Sequence, residues 1–339
     1  MTTTTQTEFL TYDRTLGVAA MDARGFYYAV AMAFRSDGRL FVQGRSHDGD
    51  TRGARITVMD YDSGYYGDFG SYGSGDGQFT WPTDIALDSE GNVYTTDEYL
   101  QRVSVFDSDV KFVKKWGMHG SGEGMIDGPS GIECDADDNL LIADHRNNRI
   151  QKFTRDGIFL SSFGSEGSGE GEFNLPWGLR VAPNGHIYVA DWRNDRIQRF
   201  TPNGEFVAAY GESGDGEGRL NRPASVEVDE AGYMYIADWG NERVQVFDPD
   251  GGFVQVLKGQ ATTSPWAQEF LDANLDENRA RSESDLEQYH LLTTDDPHEV
   301  ASQIETIFWS PISVRLDPEG RLFVLERNRH RIQVYARSV

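Results

Sequence analysis

The sequence predicts an all-β protein, a six-bladed propeller, and three observations predict it. Four segments, ending Val-Ser-Val-Phe106, Ile-Gln-Lys-Phe153, Ile-Gln-Arg-Phe200 and Val-Gln-Val-Phe247, are near-copies. Pro82, Pro129, Pro176 and Pro223 stand at one spacing, since 129 − 82, 176 − 129 and 223 − 176 all equal 47. Each copy is built from short alternations of period two, such as Ile187-Tyr-Val-Ala, separated by turns such as Pro183-Asn-Gly185. Short strands repeated at a fixed period of this size stack as blades around an axis.

Within a unit, strand a follows the proline, strand b the glycine turn, strand c carries the Arg-(Ile/Val)-Gln pattern, and strand d runs from a phenylalanine to a glycine. The d-to-a and b-to-c connections then share one side of the disc, called here the top face. The first full unit begins near Tyr28, and its Gly38 precedes Gly91 by 53 residues, placing about six extra residues near 45–55 or 60–68. Gly185 and Gly232 continue the series, and Asp138 replaces glycine in the third unit. Gly320 follows Gly232 by 88 residues, so 88 − 47 leaves 41 inserted between Gly259 and Pro311.

The chain stops one strand short of a sixth unit at Arg331-Ile-Gln-Val-Tyr335, while residues 9–17 resemble an isolated strand d. The N-terminal strand is therefore expected to complete the last blade and remove both sheet edges. All of residues 1–339 read as a single domain with residues 260–308 as a helical insertion. There Ser264-Pro265 and Asp296-Pro297 each give an N-cap followed by proline at the first helical position. A lid over the top mouth is expected from this insertion, with self-association as the alternative role.

Lys+Arg total 31 against 55 Asp+Glu, a net charge of −24, which repels phosphate backbones and argues against a nucleic-acid partner. The single Cys134 excludes an intramolecular disulfide, and no apolar run is long enough to cross a membrane. A cytoplasmic protein is expected. No dinucleotide fingerprint or phosphate loop is present, so no nucleotide cofactor is expected.

With Tyr188-Val-Ala-Asp-Trp-Arg-Asn-Asp-Arg-Ile-Gln198 and Gly167-Ser-Gly-Glu-Gly-Glu-Phe173 in hand, the chain resembles the NHL-repeat family over nearly its whole length outside the insertion. The resemblance implies a six-bladed β-propeller but no single activity. It also brings in the amidating lyases of peptidyl-α-hydroxyglycine, whose catalytic tyrosine lies in a b-to-c loop comparable to that of Tyr99. Their zinc-ligand histidines are missing: the corresponding positions are Thr83, Ser130, Trp177, Ala224 and Ile312. A zinc site of that type is not expected.

Asp97, Asp144, Asp191, Asp238 and Glu326 each precede an arginine by five residues and are expected to serve the scaffold by pairing with it. The glycine-rich acidic loops are expected to be flexible turns. Function is sought where the blades differ. One place after the repeated acid the ring reads Arg45, Glu98, His145, Trp192, Trp239 and Arg327. Glu98 and His145, on adjacent blades, are candidates for an acid/base pair, with Tyr99 beside them. Arg45 and Arg327 form a candidate clamp for an organic anion, and Trp192 and Trp239 a wall. Trp81, Trp177 and Trp309, close to the prolines, are expected at the channel mouth, with Asp84 as a further contact. A divalent ion on His47, His119 or His145 remains an alternative. Four places after the proline, Glu133, Arg180, Glu227 and Arg315 are expected to pair around the channel. The combined reading is a lyase or hydrolase acting on an anionic organic molecule, the alternative being a non-catalytic interaction scaffold.

Overall fold

In the computed structural model, which describes residues 8–21, 23–46, 51–287 and 292–338, the strands form six four-stranded antiparallel sheets. Blade three shows the pattern: Pro129–Cys134 innermost, then Leu140–Asp144, Arg149–Phe153 and Phe159–Phe163. Blades two, four and five repeat it from Pro82, Pro176 and Pro223, and blade one runs from Ala31 to Phe69. Blade six joins Pro311–Leu316, Leu322–Glu326 and Arg331–Arg337 to the N-terminal strand Leu10–Leu16, its outermost member. The expected ring closure is thus present. Leu10 and Leu16 are fully buried against neighbouring blades, which anchors the closing strand by apolar contact as well as by its ladder.

The repeated acid is the hub of each blade's top corner. In blade three the buried Asp144 carboxylate accepts the Asp127 N–H at 2.6 Å, and it also accepts from Asn147 (2.9 Å), Arg149 Nε (2.8 Å) and Gln151 (3.0 Å). Asp191 and Asp238 repeat this set, and Glu326 pairs with Arg331 and Gln333. Arg149 then extends into the glycine-rich loop, donating to the carbonyls of Gly122 (2.7 Å) and Met125 (2.9 Å). The loops expected to be flexible turns are therefore pinned, and three of them close as two-residue parallel ribbons such as Ser165–Glu166 on Glu172–Phe173.

Blade two departs from the expected pairing. Arg102 donates to the carbonyls of Ser74, Gly75 and Gln78, and Asp97 instead accepts backbone N–H groups from Thr80, Trp81, Tyr99 and Leu100. Its b-to-c loop also lacks the asparagine and the strand-c glutamine that surround Asp144, having Leu100 and Ser104 there, so backbone donors supply what side chains supply elsewhere.

A second repeated device carries no common residue type. The residue just before each strand-c arginine has a left-handed backbone: Gln101, Asn148, Asp195, Glu242 and His330, with φ between 52° and 53°. Each side chain reaches the next blade and accepts one backbone N–H there. The donors are Gly128 (2.7 Å), Leu175 (2.8 Å), Arg222 (2.7 Å), Ser310 and, across the closure, Tyr28 (3.0 Å to His330 Nδ1). These latches orient the residues leading into the inner strands of blades one, three, four, five and six.

The channel holds the expected ion pairs: Arg180 donates to Glu133 at 2.6 Å and to Glu227 at 2.7 Å. Arg315 does not join that row; it turns to Asp84 (3.7 Å) and to the Val314 carbonyl (3.0 Å). The extra residues of blade one lie in its b-to-c connection, between Leu40–Gln43 and Ile56–Met59.

The insertion contains α1 (Pro265–Ala273), α2 (Leu275–Glu283) and α3 (Pro297–Gln303), between strands ending at Leu257 and starting at Pro311. Both expected caps form, with Ser264 accepting from Ala267 N–H and Asp296 from His298 and Glu299 N–H. The helices are anchored at three places. Trp266 of α1 is buried and donates to the Ser63 carbonyl of blade one, while α3 lies on Glu242 of blade five and on Arg329 of blade six. Burial of Trp266, Ala301, Ile304 and Phe308 draws the described helices onto blades five, six and one. Among the described residues no helix is long and apolar enough to cross a membrane.

Candidate functional site

The top mouth is asymmetric. On one side, at the junction of blades six and one, Arg45 and Arg327 sit close enough that the Arg327 guanidinium disfavours the charge on Arg45. Burial first, and then the Arg327 guanidinium, hold Arg45 below the usual arginine range, against the opposing pull of Glu98 and Asp97. Neither has an ion-pair partner among the described residues. Arg45 lies over the Trp81 ring at 4.6 Å and Arg327 over the Tyr28 ring at 4.6 Å. Tyr28 is the residue held by the His330 latch, so the ring-closing contact also places the stacking platform of Arg327.

On the other side runs an aromatic arc. His145 packs on Trp177 with ring centroids 5.3 Å apart, Trp177 on Trp192 at 6.4 Å, and Trp192 on Trp239 at 6.2 Å. The wall expected from Trp192 and Trp239 thus extends through Trp177 to His145. His145 is buried, and burial, with Arg146 adding to it, pushes its pKa down to about 4, so the imidazole is neutral at pH 7. Its Nδ1, Trp239 Nε1 and Arg327 Nε are buried without a hydrogen-bond partner among the described residues. Buried polar atoms are ordinarily satisfied, and three unsatisfied ones around one mouth mark it as a place where a ligand can complete the bonding.

The structure does not pair Glu98 with His145. Glu98 Oε1 accepts from Arg146 at 3.0 Å, and Arg146 also contacts Asp127 at 3.4 Å, with His119 Nε2 3.5 Å from the other Asp127 oxygen. The reason is chain geometry: the b-to-c loop of blade three turns Arg146 toward blade two and lays the His145 ring on Trp177. Tyr99 is 65% exposed and meets Trp81 edge-on at 6.1 Å. Trp81, Glu98, Tyr99, Gln101, His119 and Arg146 line a groove of about 350 Å³ between blades two and three.

Two expected contacts lie elsewhere. Asp84 faces the channel interior, where burial raises its pKa to about 6 against the pull of Arg315, beside a cavity of about 10 Å³, room for one water. Trp309 belongs to the rim, donating to His298 Nε2 at 3.3 Å beneath α3 and carrying Arg329 over its ring. His47 lies outside the described residues. Among those described, no three His, Cys, Asp or Glu side chains gather as a metal site would require.

Fold and mouth together define a six-bladed β-propeller with an arginine and tryptophan-lined opening on its top face. The family model for the NHL repeat matches residues 79–106, 173–200 and 308–335, and the chain carries NHL repeats. Among solved structures it is similar to a streptogramin B lyase, at 11% identity over 97% of this chain and 98% of that one, with a TM-score of 0.57. A catalytically inactive virginiamycin B lyase from Staphylococcus aureus, solved with quinupristin, is 12% identical over 96% and 99%, with a TM-score of 0.56. An auxiliary nutrient binding protein from Bacteroides thetaiotaomicron is 13% identical over 96% of this chain and 72% of that one, with a TM-score of 0.60. At such identities the likeness establishes the fold alone. None of these three is an amidating lyase, and among curated proteins no sequence matches.

Proposed function

We propose that the top mouth binds a small organic anion and that the protein is a lyase- or hydrolase-type enzyme acting on it. The observation that carries this reading is the pair Arg45 and Arg327, two neighbouring guanidiniums without a described carboxylate partner in a chain of net charge −24. Such a pair stabilises a bound carboxylate and any charge that develops on it during reaction. The apolar body of the ligand would rest on Trp177, Trp192 and Trp239. His145, neutral and with an Nδ1 unsatisfied among the described residues, is the proton acceptor in this reading, and Tyr99, exposed beside Trp81, is the hydroxyl donor. Glu98 is assigned to orient Arg146 rather than to transfer protons. A cytoplasmic location, supported by the single unpaired Cys134, accompanies the proposal.

Lyase activity in propellers of this shape, as in the streptogramin B lyase neighbour, supports the reaction class, while the nutrient-binding neighbour supports binding without chemistry. The second reading is favoured by the Glu98–Arg146 pair, which removes one of the acid/base candidates. The test is calorimetric binding of a panel of aromatic carboxylates, with turnover followed by chromatography. Arg45→Gln with Arg327→Gln is expected to abolish binding, and His145→Ala to retain binding and abolish turnover. Binding indifferent to the two arginines removes the proposal; binding with no turnover by the unmodified protein leaves the binding reading.

A further inference from the structure

Four arginines of the top face share one property. Arg45, Arg193, Arg222 and Arg327 make no ion pair with a described carboxylate, and each lies over an aromatic ring. Arg45 covers Trp81 (4.6 Å) and Arg327 covers Tyr28 (4.6 Å), while Arg193 and Arg222 both approach Trp192, at 5.6 and 5.1 Å. A guanidinium supported on a ring face keeps its N–H edge available in its own plane, the geometry that grips a carboxylate with two parallel hydrogen bonds.

The nearby acids are already engaged. Glu98 accepts from Arg146, and Asp195 accepts the backbone N–H of Arg222 at 2.7 Å and the Ser213 hydroxyl at 2.7 Å. In a chain with 55 acids against 31 Lys+Arg, four arginines around one opening that make no ion pair with a described carboxylate form a positive feature inside a negative field.

The four fall into two poles. Arg45 and Arg327 stand where blade six meets blade one; Arg193 and Arg222 stand on blade four and on the connection leaving it, in the opposite half of the ring. Trp192, the ring under Arg193 and Arg222, continues into Trp177 and Trp239 at 6.4 and 6.2 Å centroid to centroid, an apolar surface of the same opening. A ligand with one acidic group would use one pole and leave the other pair exposed to mutual repulsion.

We propose that the ligand is a small organic dianion whose two acidic groups are separated by a flat apolar body, one group held by Arg45 and Arg327, the other by Arg193 and Arg222. The proposal rests on the mouth being the anion site described above, and it adds the charge and shape of the ligand.

The test uses the full chain and matched probes of graded length: benzoate against terephthalate, 2-naphthoate against naphthalene-2,6-dicarboxylate, and biphenyl-4-carboxylate against biphenyl-4,4′-dicarboxylate, by calorimetry. One diacid is expected to bind at least about tenfold more tightly than its monoacid. Arg193→Gln with Arg222→Gln, both exposed residues, should erase that advantage while leaving monoacid affinity and thermal unfolding unchanged. Arg45→Gln with Arg327→Gln should weaken both ligands. Equal affinity for monoacid and diacid, with sensitivity to Arg45 and Arg327 retained, overturns the two-pole assignment and leaves the anion site standing. Binding of neither class overturns both. Tighter binding of a single-stranded oligonucleotide than of any diacid overturns the small-molecule assignment.

Discussion

His298 Nδ1 lies 2.5 Å from Glu242 Oε1, so one hydrogen bond ties α3 of the insertion to blade five. The other Glu242 oxygen accepts the Ser310 N–H of blade six, and Glu326 adds a repelling charge nearby. Burial raises the Glu242 pKa to about 7 in spite of these donors. The ordinary glutamate value is 4.5, so between that pH and about 7 the folded chain holds a proton that the unfolded chain has released. The contribution of Glu242 to stability therefore falls as pH rises through this window. Glu242→Gln should flatten the dependence of melting temperature on pH between 4.5 and 7 (roughly, from the same values) and should be at least as stable as the unmodified protein above it. Parallel curves for the two proteins would remove the assignment.

The hub acids should not be equivalent. Asp191 pairs with Arg196 at 2.8 Å and gathers Asn194 and Gln198, whereas Asp97, among the described residues, accepts only backbone N–H groups. Asp191→Asn leaves a guanidinium without its charge partner and is expected to cost about 3–5 kcal/mol. Asp97→Asn is expected to cost about 1–3 kcal/mol, the range for a disturbed buried hydrogen bond. Denaturant midpoints measure both, and equal losses would contradict the distinction.

Arg180 sits between Glu133 and Glu227 in the channel. Arg180→Met leaves two carboxylates facing one another and should destabilise by about 3–5 kcal/mol. Replacing all three, as Glu133→Leu, Arg180→Met and Glu227→Leu, should recover most of that loss. A triple variant no better than the single one would show that the charges act independently.

The closing strand should be required for a monomeric ring. Leu16 is fully buried, and Leu16→Ala is expected to cost about 2–5 kcal/mol. Deleting residues 1–17 exposes the edge of Arg331–Arg337, and concentration-dependent association by light scattering is the expected outcome.

Much of the fold was legible because a repeat states its own register. The 47-residue spacing located the prolines, the hub acids and the missing strand that Leu10–Leu16 supplies. The site was less legible, because equivalence along a repeat says which residues share a loop but not where each side chain turns. Glu98 and His145 occupy equivalent places on adjacent blades, yet one goes to Arg146 and the other to Trp177. The inter-blade latches escaped notice because Gln101, Asn148, Asp195, Glu242 and His330 share no residue type, only an acceptor atom and a left-handed backbone. Their constant place one before the strand-c arginine was the available signal. The insertion's caps were readable locally, but its resting place depended on Trp266 finding blade one, a contact of 266 − 63 = 203 residues' separation.

The pairing of Tyr12 with Tyr335 joins positions 323 residues apart (335 − 12). The strand Leu10–Leu16 must therefore wait for a partner more than three hundred residues later in the sequence, and five blades can zip together locally while the sixth waits for that distant contact. Such distant contacts slow folding far more than they weaken the finished protein. Refolding is accordingly expected in two kinetic phases, with an open five-bladed arc as the species that accumulates between them.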